Sequence, residues 1–412
     1  VSLTGFNPQN MKSFLLSLFC FVSLPLFLQA TDFDTLMLKS KSAFVSDADS
    51  VDYGKVVADL QQAVKLQPEN PEAHYYLGYA YSRLNAKDGR DMNRAKPALT
   101  IKASDEFCLV TKLSPHYTGD KLALDPYSKI ASEWGSLAMS YWCNNQPDSA
   151  TWAFTEGRKR GGFSDFWLSV SKAVLDLCAP NSILISSGDN STISLWYLHC
   201  MEQYRKDVSV VDVSLLGTSW YPAFLTKNEN TRFDMPKAML DTVEYCQWND
   251  SVVVIGDFEW IVSPSYYGQY LLRSDRLLLS MLQENKWRRD VNFTVGFAEN
   301  TRLSLDTYLA SQILTDRLNI NNQPSWDNGR YQKEIEKILK LIPLVNKNSD
   351  EEVEFVELIR TNMLVKIDEV MQQDKDFASK IFGLLNQYVP EKVFPIQDEN
   401  TKKYMDSLRE KL

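Results

Sequence analysis

The spacing of hydrophobic residues changes sharply between residues 181 and 221, and the rest of the chain is arranged around that change. Ile183, Leu184 and Ile185 form an apolar run too short for a helix and bounded by Ser186, Ser187 and Gly188, the pattern of a strand buried on both faces. After the polar loop Gly188-Asp189-Asn190, the residues Leu195, Trp196, Leu198 and His199 recur at helical spacing and predict a stripe laid against a sheet. Asn190 or Ser191 is positioned to cap that helix. Val208, Val210, Val211 and Val213 predict a second strand. Strand, helix and strand in so short a stretch imply a right-handed βαβ crossover with parallel strands. Ser251 to Ile255 predicts a third strand, and Val291 to Val295 a fourth. Helices are expected over Pro236 to Cys246, Tyr266 to Trp287 and Asp306 to Ile313.

On the N-terminal side the pattern is helical and repeats. Leu60, Ala63 and Pro68 lead to Leu77, Gly78 and Tyr81. Ala103, Phe107, Val110 and Pro115 lead to Trp134, Leu137, Ala138 and Tyr141, and Ala150, Phe154, Gly157 and Gly162 follow. These offsets resemble tetratricopeptide repeats, in which small and large residues alternate so that paired helices nest. The closing positions Pro68, Pro115 and Gly162 fall 47 residues apart, against a usual unit of about 34. The excess lies in Ala86 to Lys96 and Thr118 to Ser128, polar stretches expected as long loops. Such stacking either leaves a concave face for a partner or forms a structural shoulder for the sheet. After a linker at Asn321 to Arg330, marked by Pro324, Asn328 and Gly329, the chain is charged and helical. Ala378, Phe382, Leu385 and Pro390 restore the repeat register, and Asp350, Glu351, Glu352 and Glu354 read as the solvated start of a helix. The expected fold is therefore α/β with α-helical repeats. It comprises tetratricopeptide-like hairpins over 31–162, a three-layer α/β domain with a mainly parallel sheet over 163–330, and a C-terminal helical hairpin over 331–412.

Residues 1–30 change the compartment. Met11 and Lys12 precede an apolar run from Phe14 to Leu28, then Gln29 and Ala30, which reads as a secretory signal preceded by ten residues without structural meaning. Pro25 and the shortness of the run argue against a transmembrane span, so the mature chain is expected to be exported, periplasmic or envelope-associated, without a stable span. The net charge of −9 disfavours nucleic acid as a partner. Beyond the leader stand Cys108, Cys143, Cys178, Cys200 and Cys246, an odd number in apolar contexts, expected as buried free thiols. Three histidines make a His-rich metal site improbable. Neither metal nor cofactor is expected, and the common nucleotide, protease and hydrolase motifs are missing from the sequence.

Candidate chemistry gathers at the predicted strand ends, where open α/β sheets bind ligands. Asp189 follows the first strand and Asp257 the third, although Gly and Asp at such ends also simply make turns. Asn190 and Thr192 complete the loop as ligand-binding candidates. Trp220 and Tyr221 are rings for stacking on a sugar, or else core aromatics. His199 reads as a hydrogen-bonded, half-buried residue in preference to a general base.

The segments SGDNSTISLWY, RKDVSVVDVSLLGTSWY and NKWRRDVNFTVGFAENTRLSLDTYL resemble the soluble C-terminal part of a family of large multi-spanning membrane proteins of Bacteroidetes. That family carries a domain of unknown function and is grouped with glycosyltransferases resembling protein O-mannosyltransferases. The likeness covers about Phe163 to Tyr308 and, more weakly, Phe382 to Pro395. Ser191 stands where the family has a second Asp, Asp212 where it has Asn, and Ser219 where it has Asp. The resemblance implies an accessory domain without the membrane-embedded enzyme. The expected function is an exported envelope protein that binds a protein or a glycan as a non-catalytic accessory or scaffold. The alternative is an enzyme acting on an envelope saccharide through Asp189 and Asp257.

Overall fold

The structure is a computed structural model that describes residues 32–46, 50–297, 301–321 and 328–412. The expected leader over 1–30 and most of the linker over 321–330 lie outside the described residues. The chain begins with α1 (residues 32–44), α2 (Tyr53–Leu66), α3 (Pro71–Ala86), α4 (Pro97–Leu113), α5 (Pro126–Cys143) and α6 (Pro147–Lys159), each packed on the next from α2 onward. Pro71, Pro97, Pro126 and Pro147 each open a helix. A first-turn N–H has no intrahelical partner, so proline loses nothing there and stops the preceding loop from joining the helix. The repeat register explains the nesting: a Cβ on Gly78 would stand 2.8 Å from the Phe107 ring, and one on Gly157 would stand 2.6 Å from Trp134. Glycine is what lets these helices approach so closely.

The α/β part follows, with α7 (Asp165–Leu177), β1 (Ile183–Ser186), α8 (Asp189–Tyr197), β2 (Ser209–Asp212), α9 (Tyr221–Asn228) and α10 (Lys237–Leu240). Next come β3 (Cys246–Gln247), β4 (Ser251–Ile255), β5 (Phe258–Val262), β6 (Tyr270–Leu271), α11 (Arg273–Asn285), β7 (Val291–Thr294), β8 (Leu309–Ser311) and β9 (Thr315–Leu318). The main sheet runs β2-β1-β7-β9-β8. Its first three strands are parallel and β9 is antiparallel to both neighbours, so four of the five strands point one way. The expected βαβ unit is present, with Ser186 beside Asp212 at the C-terminal ends.

The third strand is corrected. Ser251 to Ile255 does not join this sheet; it pairs antiparallel with β5 in a separate ribbon closed by Gly256 and Asp257. Gly256 has φ of 60°, and a glycine at the first central position fits a tight two-residue hairpin turn. The helix expected over Tyr266 to Trp287 begins only at Arg273, since Tyr270 and Leu271 pair with β3. That expected over Pro236 to Cys246 shrinks to α10. Asp306 to Tyr308 is a single 3-10 turn leading into β8.

The C-terminal part holds α12 (Asn328–Leu339), α13 (Asp350–Met371), α14 (Lys375–Tyr388) and α15 (Glu399–Lys411), with α13 and α14 forming the expected hairpin. The acidic start of α13 is not solvated as its composition suggests. Ser349 caps the helix and donates to Asp125 Oδ2 at 2.5 Å, while Asp125 N–H donates to Glu351 Oε1 at 2.8 Å. Glu352 is buried and accepts from Asn346 N–H at 2.7 Å. The Asp125 bonds to Ser349 and Glu351 tie the C-terminal helices to the loop before α5. Among the described residues no helix is long and apolar enough to cross a membrane, and Cys108, Cys143, Cys178, Cys200 and Cys246 are free thiols.

Two predictions follow from this packing. Gly135 on α5 meets Ile193 of α8 closely enough that a Cβ would collide with it, whereas Gly383 on α14 has nothing within 4 Å. Gly135→Ala should therefore destabilise by about 1–3 kcal/mol. Gly383→Ala should be neutral or stabilise by up to about 1 kcal/mol, both read by urea denaturation. The second concerns pH. Burial, and then the neighbouring Asp125 carboxyl, push Glu351 from 4.5 up to about 9. A carboxyl raised on folding contributes fully below its unfolded value and loses that contribution as pH rises toward the folded one. Wild-type melting temperature should fall relative to Glu351→Gln between about pH 5 and pH 9; parallel profiles would show that Glu351 does not retain its proton.

Candidate functional site

A cavity of about 330 Å³ lies where the C-terminal ends of β1 and β2 face α3 and α5. Its floor is α/β in origin: Gly188 and Asp189 follow β1, Asp212 ends β2, and Thr192 and Trp196 project from α8. The opposite wall is a single stripe of α5, Lys129, Ser132, Glu133 and Ser136, with Tyr79, Ser82 and Arg83 of α3. Spacings of three and four residues put these α5 side chains on one face. The rim comes from the two long loops between repeats, through Asp88, Gly89, Met92, Ala123 and Leu124.

Hydrogen bonds set the geometry of both carboxyl groups. Ser132 Oγ donates to Asp189 Oδ2 across the gap between α5 and α8. Thr192 Oγ1 donates to Asp212 Oδ2 at 2.5 Å and lies 2.8 Å from Ser186 Oγ. Leu215 N–H donates to Asp212 Oδ1 at 2.9 Å, and Asp212 N–H donates to the Tyr221 hydroxyl at 2.9 Å. Asp212 is 4% exposed. Burial pushes its carboxyl up to about 6; the Thr192 and Leu215 bonds oppose that rise and the Asp189 charge adds to it. On the facing wall, Lys129 Nζ sits 2.8 Å from Glu133 Oε1, donates to Ser82 Oγ at 2.9 Å and lies 4.7 Å from the Tyr79 ring centroid.

The structure divides the sequence candidates. Asp189 and Thr192 line the cavity. Asn190 lines a separate hollow of about 30 Å³ on the other side of Ser132, beside Ser128, Ser164 and Asn346. Trp220 borders an open groove with Asn93 and Asn144, and its indole N–H donates to Gly89 O at 3.2 Å. Tyr221 is fully buried, stacked on Phe224, and acts as a core residue. Asp257 turns the β4–β5 hairpin and does not line the cavity, so the alternative reading that pairs it with Asp189 has no basis in the main sheet. His199 is buried rather than half-buried, with Nδ1 3.7 Å from Glu229 Oε1 and no place in the cavity wall. Asp212 is the residue that sequence reasoning passed over as a site. The parallel register brings this last residue of β2 beside the end of β1. Among the described residues no group of three or more His, Cys, Asp or Glu is placed to hold a metal ion.

These bonds order two substitutions by severity. Thr192→Val leaves a buried carboxyl short of a donor and should lower stability by about 1–3 kcal/mol. Trp220→Phe removes one half-buried bond to a loop carbonyl and should cost about 1 kcal/mol. Equal losses in chemical denaturation would contradict the assignment of Thr192 as the support of Asp212.

Two family models match parts of the chain. A tetratricopeptide repeat model matches residues 52–85, which span α2 and α3, and TMEM260-associated domain 2 matches residues 168–263, from α7 to the end of the β4–β5 ribbon. No curated protein and no solved structure matches the chain. The N-terminal hairpins are tetratricopeptide-like repeats, and the segment that carries Asp189, Thr192 and Asp212 is similar to TMEM260-associated domain 2.

Proposed function

We propose that this protein is an exported, envelope-associated accessory protein that binds a saccharide-class ligand in the cavity between the repeat array and the sheet, without converting it. The observation that carries the reading is the cavity itself. It lies at the C-terminal ends of parallel strands, the usual ligand position in α/β sheets, and holds hydroxyls and carboxyls on both walls. Carboxylates and hydroxyls suit a molecule rich in O–H groups because they accept and donate in turn. A volume of about 330 Å³ is at the small end of the range for small-molecule sites and suits one or two sugar rings.

Export and the grouping with glycosyltransferase-associated envelope proteins belong to this proposal and rest on the leader pattern and the sequence resemblance. A catalytic alternative built on Asp189 and Asp257 lacks a shared pocket. Tetratricopeptide repeats are associated with protein contacts, but here the α3 and α5 face is covered by α8 and the loop before α5. A protein partner therefore reaches the array by another face.

The test is retention of the purified full chain on a panel of immobilised envelope saccharides, with mass analysis of the saccharide afterwards. The expected result is retention with the saccharide unchanged, reduced about tenfold or more in Ser136→Leu, which narrows the cavity, at unchanged circular dichroism. Retention that Ser136→Leu does not affect, or a cleaved or extended saccharide, overturns the proposal.

A further inference from the structure

We propose that the free edge of β4 takes an extended segment of a protein partner as an added strand, one that presents alternate apolar side chains between basic ends. This surface is separate from the cavity and does not depend on how the cavity is read.

Exposed apolar side chains are concentrated in this part of the chain. Eight of the seventeen large ones exposed among the described residues fall between Met239 and Leu272. Single exposed hydrophobics need no explanation, but a cluster of them marks a contact surface. The β4–β5 ribbon supplies the flat part of it. Its inner face is fixed by three indole N–H groups: Trp260 donates to Leu303 O at 2.8 Å, Trp287 to Ile255 O at 2.9 Å and Trp248 to Val262 O at 2.9 Å. On the outer face Val252 lies opposite Ile261 and Val254 opposite Glu259, and all four are exposed.

The backbone adds an open edge. Among the described residues neither β4 nor β5 has a second strand beside it. A two-residue turn makes Ile255 and Phe258 exchange hydrogen bonds, and such pairs alternate along an antiparallel ribbon. Val252 and Val254 therefore turn their N–H and C=O groups outward, where no other described residue bonds them. On β5 the corresponding edge carries Glu259, a charge that guards against strand pairing. From Ser251 to Ile255, β4 has no charge, glycine or proline. Such an edge accepts a strand through main-chain bonds, and alternate side chains supply the specificity.

Charge selects the occupant. Between Met239 and Leu272 there is no Lys or Arg, against Asp241, Glu244, Asp250, Asp257 and Glu259. Arg273 and Arg276 of α11 bond the carbonyls of Leu240, Val243 and Glu244 and offset the first two acids. Asp250, Asp257 and Glu259 are exposed, frame the ribbon and form no ion pair among the described residues. A segment with basic ends gains from these carboxylates. A second copy pairing β4 to β4 would bring like charges together, and an anionic bilayer would be repelled.

Calorimetric titration of the full chain with the blocked heptapeptide Lys-Thr-Val-Thr-Val-Thr-Lys tests this, since its Val and Lys side chains share one face of a strand. One control carries Glu in place of both Lys; the other is methylated on its three central backbone nitrogens and cannot donate to an edge. Each control is expected to bind at least about tenfold more weakly. Val252→Thr combined with Val254→Thr should weaken the Lys peptide about tenfold or more at an unchanged melting curve, because both side chains are exposed. Equal binding of either control, no effect of the double variant, or no binding at millimolar peptide overturns the proposal. A dimer in sedimentation velocity, or retention on phosphatidylcholine vesicles, that the double variant abolishes also overturns it, by assigning the edge to a second copy or to lipid.

Discussion

The close approach of α5 to α8 is the constraint on which the rest of the molecule depends. Gly135 has no side chain where Ile193 of α8 packs, so the two helices meet almost backbone to side chain. Ser132 lies one turn before Gly135 and is thereby brought to the Asp189 carboxylate at the first turn of α8. Ser136, one residue beyond Gly135, lines the cavity from the same face of α5. One glycine thus sets both the union of the repeats with the sheet and the width of the space between them. Interiors pack too densely for that seam to open without loss of contact along its whole length.

The unusual length of the repeats has its explanation at the same place. The residues beyond a standard unit form the loop after α3 and the loop before α5, and neither is free in solution. Leu122 N–H and Leu124 N–H donate to the hydroxyls of Tyr75 and Tyr79, at 3.0 and 2.7 Å, which fastens the second loop to α3. Gly89 in the first loop accepts from Trp220, and its neighbours Asp88 and Met92 form the cavity rim. The same second loop carries Lys121 and Asp125, which bind Asp350, Ser349 and Glu351 of the C-terminal helices. Insertions that look like polar excess in the sequence therefore join all three parts of the chain.

What the sequence revealed follows from which interactions are local. Helical hairpins and the βαβ unit were legible because burial imposes a period on nearby residues, and proline at helix starts sharpens the boundaries. The β4–β5 ribbon was misread because Ser251 to Ile255 is apolar at alternate exposed positions too: Val252 and Val254 are 63% and 60% exposed. An apolar run of this kind looks like a strand buried on both faces. The Gly256-Asp257 pair followed by the alternating Phe258 to Val262 was the sign of a hairpin. Likewise, Asp189 was legible because it sits in a loop with turn chemistry. Asp212 was not, because its importance comes from a parallel register linking residues 26 positions apart. Asp257 likewise does not join Asp189 at the end of the main sheet, because β4 pairs with β5 in a separate ribbon.

The cavity's position on the seam has a thermodynamic consequence. Its walls come from two parts of the chain, with Lys129, Ser132 and Ser136 on the repeat side and Asp189, Thr192 and Asp212 on the sheet side. A molecule that touches both walls stabilises their docked arrangement by mass action, to the extent that it binds that arrangement and not an opened one. The docked arrangement also places Leu122 to Asp125 against both α3 and the start of α13. Occupancy of the cavity is therefore linked to the hold of the C-terminal helices through a loop that neither element shares. That linkage does not require a shape change, since it acts through the free energy of keeping the parts together. In this architecture the repeats form one wall of the cavity, and the sheet supplies the other.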